Sequence, residues 1–118
     1  MSFRRSLSFA LNGLRYVYAH ERNFRIHLVI GAVAIILGWG LGASRVQWLF
    51  LSTAIASVLV IEVVNTVFEK VVDMIHPRVH HYAGAIKDLV AAAVLIASLS
   101  AVIVGALVFI PLITTRFF

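Results

Sequence analysis

Five acidic side chains are all that this chain of 118 residues carries, and three of them, Glu62, Glu69 and Asp73, fall in the segment "IEVVNTVFEKVVD" (Ile61–Asp73). Together with Asn65 they are spaced 3, 4 and 4. At about 100° per helical residue, that spacing confines all four to roughly 80° of arc. The segment therefore predicts a helix that is apolar around most of its girth and carries one polar stripe. Clustered carboxylates with little compensating charge suit a hard, oxygen-seeking cation such as Mg²⁺, which typically takes one or two carboxylates and completes its shell with substrate phosphates. Acids inside an apolar helix are costly and usually serve a purpose. The plainer account, juxtamembrane acids paired with nearby Arg or Lys, suits one isolated carboxylate better than three polar groups on one face. The remaining acids are Glu21, and Asp88 beside Lys87.

Other candidates are weaker. Gly38, Gly40 and Gly42 alternate, but no strand precedes them and no Lys-Ser/Thr follows, so they do not make a phosphate loop. They read instead as the end of a helix. His76, His80 and His81 share one loop without cysteine and read as a polar interfacial segment rather than a zinc site. The absence of cysteine excludes disulfides and thiol catalysis.

The elements that must position the stripe follow from composition. Hydrophobic residues make up 62% of the chain and charged residues 13%. A soluble fold of this length cannot hide so much apolar surface. Lipid is its natural solvent, and an all-α integral membrane protein is expected. The net charge of +5 comes from residues flanking hydrophobic runs, which points to anionic lipid headgroups rather than nucleic acid. Asn12, Gly13 and Arg15 interrupt the first apolar stretch, so no cleavable signal peptide is expected.

Phe3, Leu7, Leu11, Leu14 and Tyr18 recur at helical spacing, with Arg4, Arg5, Ser8, Asn12 and Arg15 between them. This predicts a basic amphipathic helix over residues 1–25, lying in the membrane interface. Residues 26–43 make a first span near the lower length limit, with Ser44 and Arg45 as a short turn. A second helix runs over 46–75, Pro77 marks a break in the loop "HPRVHHYAG", and a third span lies within 83–113, ending around Pro111. Ala93, Ala97, Ala101 and Gly105 form a small-residue stripe of the kind that lets helix backbones approach closely. Eight of the ten Lys and Arg residues lie at the N-terminus or around the second loop, leaving Arg45 and Arg116 opposite. That bias puts the N-terminus in the cytoplasm. The sixteen residues Val46–Ile61 climb about 24 Å, so Glu62 is expected near the cytoplasmic boundary and Glu69 and Asp73 at or beyond it.

"EVVNTVFEKVVD" (Glu62–Asp73) resembles the E-x-x-N-[ST]-x-x-E-x-x-V-D signature of the prokaryotic diacylglycerol kinase family. "ERNFRIH" (Glu21–His27) and "KDLVAAAVL" (Lys87–Leu95) fall at the expected distances on either side. The "NFRIHL" block is similar to the branch common in Gram-positive bacteria, which includes undecaprenol kinases. The resemblance implies a surface helix and three spans, a homotrimer with sites shared between protomers, and transfer of the ATP γ-phosphate to a lipid alcohol. That alcohol would be undecaprenol, with diacylglycerol the alternative. It further implies that Glu62 is the general base on the lipid hydroxyl and that Glu21 and Glu69 hold the Mg²⁺ of Mg-ATP. Asn65, Asp73, Lys87 and Asp88 would complete the nucleotide and phosphate environment, with His80 matching the family's loop histidine. Ile86 stands where Ala usually precedes the Lys-Asp pair, and Ala92 where Gly is common. Neither departure removes a proposed catalytic group. Two other classes compete: a small oligomeric proton or cation carrier using Glu62, and a non-catalytic membrane subunit.

Overall fold

The computed structural model describes residues 2–75 and 80–118, with the side chain of His80 outside the description. The described chain forms four helices in the order α1 (Phe3–His20), α2 (Arg22–Leu41), α3 (Arg45–Ile75) and α4 (His80–Phe117). The last three are long and apolar enough to cross a membrane. The assembly is elongated, 59 × 37 × 21 Å, with a radius of gyration of 17.5 Å. A compact globule of this length would have about 13.5 Å.

Local chemistry sets the helix boundaries. Ser2 caps α1 by accepting from the Arg5 N–H at 3.3 Å. Glu21 alone separates α1 from α2, in an extended conformation. The Arg25 guanidinium reaches back across this joint and donates to the carbonyls of Tyr18 (2.6 Å) and Ala19 (3.3 Å), closing the C-terminal end of α1. At the far end of α2, Gly42 adopts a left-handed φ of 76° that an L side chain would resist. The N–H groups of Gly42 and Ala43 bond back to Trp39 and Gly38, the arrangement of a glycine-terminated helix. The Gly38–Gly42 run thus ends the first span, as its spacing suggested. Ser44 and Gln47 then exchange side-chain and backbone bonds of 2.8 and 3.1 Å, a capping box that starts α3.

Three expectations change. The surface helix stops at His20, and α2 begins at Arg22 rather than at residue 26. The start of α4 at His80 places His80–Gly84, expected in the loop, inside the helix; His76, Pro77, Arg78 and Val79 lie outside the described residues. Pro111 does not end α4, which continues to Phe117. One missing N–H is tolerable in an apolar helix, and the Thr114 and Thr115 hydroxyls both donate to the Pro111 carbonyl.

Packing is sparse, as lipid-solvated helices require. Helix α3 packs most extensively on α4 and next on α2. The close approach of α2 to α3 depends on glycine, since a Cβ on Gly31 or Gly38 would stand 3.0 Å from the side chains of Ile55 or Trp48. The apolar face of α1 stays uncovered: Phe3, Leu7, Leu11, Leu14 and Tyr18 are all exposed, and only Val17 is buried. The most apolar stretch of α4 is just 6% buried. Such surfaces need lipid or further protein to cover them.

Candidate functional site

The predicted stripe forms along α3 and is graded in depth. Glu62 is buried, with 3% of its surface exposed. Asn65 and Glu69 are half-buried, and Asp73 is exposed. Asn65 donates to Glu69 Oε1 at 3.3 Å, tying two consecutive members together. Thr66 is also buried, but its hydroxyl is spent on the Glu62 backbone carbonyl at 3.1 Å. The Glu62 side chain therefore owes nothing to that bond.

The partner of Glu62 comes from α2. His27 Nδ1 lies 3.0 Å from Glu62 Oε1. The contact has the reach of an ion pair but not the direction of a hydrogen bond; both atoms are fully enclosed and make no other hydrogen bond among the described residues. His27 is five residues inside α2, which puts it about 7.5 Å along the axis from Arg22. Glu62, facing it, sits at the same level. The carboxylate therefore lies near one end of the spans, just inside the apolar zone.

Glu21 joins the same end of the bundle. Its carboxylate and that of Glu69 both lie within electrostatic range of Glu62. As the residue before α2, Glu21 occupies a position where a helix N-terminus favours negative charge, yet its side chain makes no capping bond. Glu21 and Glu69 thus lie in the electrostatic neighbourhood of Glu62, and Glu21 also lies in that of Lys70. Among the described residues no group of three His, Asp or Glu encloses a metal ion. A cation held by protein alone is not what this arrangement fits. Mg²⁺ asks less of a protein, one or two carboxylates with its remaining ligands taken from a bound phosphate and water.

The water-facing end is completed from α4. Lys87 Nζ lies 3.2 Å from Asp73 Oδ1, both side chains being about half exposed or more. Asp88, one residue on, is also exposed. Lys70 stands 5.6 Å over the ring of Tyr16, which stacks on His20, so α1 contributes an aromatic pair beside the stripe. His80 begins α4, but its side chain is outside the described residues.

Below Glu62 the chemistry changes abruptly. A cleft of about 380 Å³ runs between α2, α3 and α4, from His27 past Ile30, Ala34, Ile55 and Val58 to Leu37 and Phe109. Its polar lining side chains are His27 and Ser98. Ala101 and Gly105 line it from α4, and a Cβ on Gly105 would touch nothing within 4 Å. Within this chain, that part of the small-residue stripe opens a groove instead of drawing two backbones together.

One end of the bundle thus presents a buried carboxylate above an apolar groove, with acids and a lysine rising from it toward water. The sequence pattern described as Prokaryotic diacylglycerol kinase matches residues 8–109. The chain belongs to the prokaryotic diacylglycerol kinase family. The matched region takes in α2 and α3 whole and most of α1 and α4, so the lipid-kinase family assignment rests on the bundle and not on one motif. Among relatives in this kinase family, the chain is 36% identical over 107 residues to a diacylglycerol kinase of Synechocystis sp., covering 90% of this chain and 61% of that protein. It is 31% identical to the undecaprenol kinase of Bacillus subtilis, covering 92% of this chain and 89% of that one. It is also 31% identical to the diacylglycerol kinase of Escherichia coli, with 84% and 81% covered. The chain thus spans about three-fifths of the first relative and most of the other two.

His27 was missed as a site residue. In sequence it is a lone histidine in an apolar run, and nothing there pairs it with a carboxylate 35 positions away. The available signal was its type: a titratable side chain inside a span is a functional candidate by default.

Proposed function

We propose that the protein transfers the γ-phosphate of ATP to the hydroxyl of a membrane-held lipid alcohol. The observation that carries this reading is the position of Glu62, buried at the end of an apolar groove while its stripe continues to the water-facing end of α3. A lipid chain in the groove would bring its hydroxyl to Glu62. Glu62 accepts the hydroxyl proton as the lipid oxygen attacks the γ-phosphorus, and the bond from that phosphorus to the bridging β-γ oxygen breaks to release ADP. Such transfer depends on positioning, charge neutralisation and a base near the nucleophile. Glu21 and Glu69 would hold Mg²⁺, which offsets phosphate charge when bound. Lys87 offers a cation to the phosphates, and Asn65 orients Glu69. Asp73 holds Lys87 in reach, while Asp88 and His80 complete the nucleotide side.

Undecaprenol is the acceptor we favour. The "NFRIHL" block supports it, as does the near full-length match to the Bacillus subtilis undecaprenol kinase. Diacylglycerol is the second reading, supported by the names of the other two relatives. The lysine and arginine bias favours a cytoplasmic N-terminus, which would place the stripe where ATP is. A homotrimer, as the family resemblance implies, would let neighbouring copies cover part of the exposed flank of α4. A carrier fits less well, because an essential acid would more often lie near the membrane midplane.

The test is transfer of labelled phosphate from Mg-ATP, by the purified protein in lipid vesicles, to undecaprenol, diacylglycerol, ceramide and sphingosine. Labelled undecaprenyl phosphate is the expected product. Labelled phosphatidic acid alone would exchange the two acceptors, and no labelled lipid at all would reject the kinase reading.

A further inference from the structure

Histidine has no structural necessity at position 27. From Ile26 to Leu41 every other residue is apolar or glycine, and an interfacial histidine ordinarily turns its ring toward water. Here Nδ1 points inward. It is fully enclosed, 3.0 Å from an equally enclosed carboxylate oxygen, and neither atom makes a hydrogen bond elsewhere among the described residues. Buried polar atoms are normally satisfied, so two such atoms facing each other are a matched pair awaiting a small adjustment of angle. The same ring also lines the apolar cleft. His27 thus touches both the groove and the carboxylate.

We propose that His27 is a positioning residue for Glu62. Its Nδ1 anchors Oε1 and so turns the other oxygen, Oε2, toward a hydroxyl arriving through the cleft. A free glutamate has three rotatable side-chain bonds, and the two neighbours on its own stripe leave it unheld: Asn65 bonds to Glu69, and Thr66 bonds to backbone. Among the described residues, the second point of attachment comes from His27 of α2. The inference rests on Glu62 being the base, and it assigns no contact between His27 and the reacting atoms.

The experiment compares His27→Leu, which keeps bulk and loses the nitrogen, with His27→Asn, whose side-chain amide nitrogen stands near the place of Nδ1. Both are assayed in phosphatidylcholine vesicles with undecaprenol or diacylglycerol, whichever the unaltered protein phosphorylates. Glu62→Gln is run in parallel. Misplacing a reacting group by about 1 Å costs on the order of 100-fold in rate. His27→Leu is therefore expected to lower kcat by about that factor with KM for Mg-ATP unchanged, and His27→Asn to recover most of the loss. Full kcat in His27→Leu overturns the inference, as does equal loss in both variants or a fall that appears only in KM. An active Glu62→Gln overturns the base assignment instead. An inactive Glu62→Gln beside a fully active His27→Leu rejects the positioning role alone.

Discussion

Replacing Glu62 by Gln keeps the side chain's shape and removes its ability to take a proton. The expected loss follows from what surrounds it. The next carboxylate on the stripe, Glu69, is seven residues away, about 10.5 Å along the axis, and already tied to Asn65. Glu21 precedes α2, five residues and more from the level of His27. Among the described residues no other carboxylate pairs with His27 at the end of the groove, so substitution by a neighbour is not available. A positioned general base contributes about 10²- to 10⁴-fold. The loss should fall near the upper end, about 5 kcal/mol of activation free energy. Glu62→Asp, which withdraws the carboxylate by one methylene, should fall between Gln and the unaltered protein. Folding should survive, because Gln fills the same volume and its side-chain amide can still meet the enclosed His27 Nδ1. The assay is single-turnover phosphate transfer to lipid, paired with thermal unfolding in the same detergent. Transfer within tenfold of normal in Glu62→Gln would refute the base assignment. Lost transfer accompanied by a collapsed fold would refute the claim that the charge is dispensable for stability.

Further outcomes follow from the same geometry. Glu69→Gln should raise the Mg²⁺ concentration needed for half-maximal rate, and an unchanged metal titration removes it from the metal site. Lys87→Met should weaken use of ATP severalfold while shifting unfolding by at most about 1 kcal/mol, since its pair with Asp73 is exposed; a large loss of stability with normal ATP kinetics would assign Lys87 a structural role. Gly31→Leu should destabilise the bundle by about 1–3 kcal/mol, because its Cβ alone would meet Ile55 at 3.0 Å. Unaltered unfolding of that variant would mean that α2 and α3 are not held as close as described.

Much of this was legible because lipid simplifies the code. Long apolar runs bounded by Arg25 and by Ser44 and Arg45 announce helices, and the spacing of Glu62, Asn65, Glu69 and Asp73 announces one face. What was not legible depends on tertiary contact or on marginal local choices. Pro111 reads as a stop, yet the loss of one N–H does not outweigh an apolar helix on both sides of it. His80 to Gly84 read as loop because histidine, tyrosine and glycine carry weak propensity, and their helix is fixed only as part of α4. Ala101 and Gly105 read as a packing seam, but whether small residues admit a helix or leave a groove depends on what α2 and α3 do opposite them. The pairing of His27 with Glu62 joins two helices, and no periodicity within either one encodes it.

The cleft has a consequence for how such a protein could change its substrate over time. Its lining is almost wholly hydrocarbon, so it can grade a tail by length and girth but cannot read it by hydrogen bonds. Each methylene gained or lost is worth about 0.8 kcal/mol, a shallow slope for discrimination. The acids and the lysine sit elsewhere, on the stripe and at the water-facing end. Under the reading proposed here, drift in a few groove side chains would retune the acceptor while leaving the transfer chemistry intact. Relatives at comparable identity that bear the names of two chemically unlike lipids are what such a separation would produce.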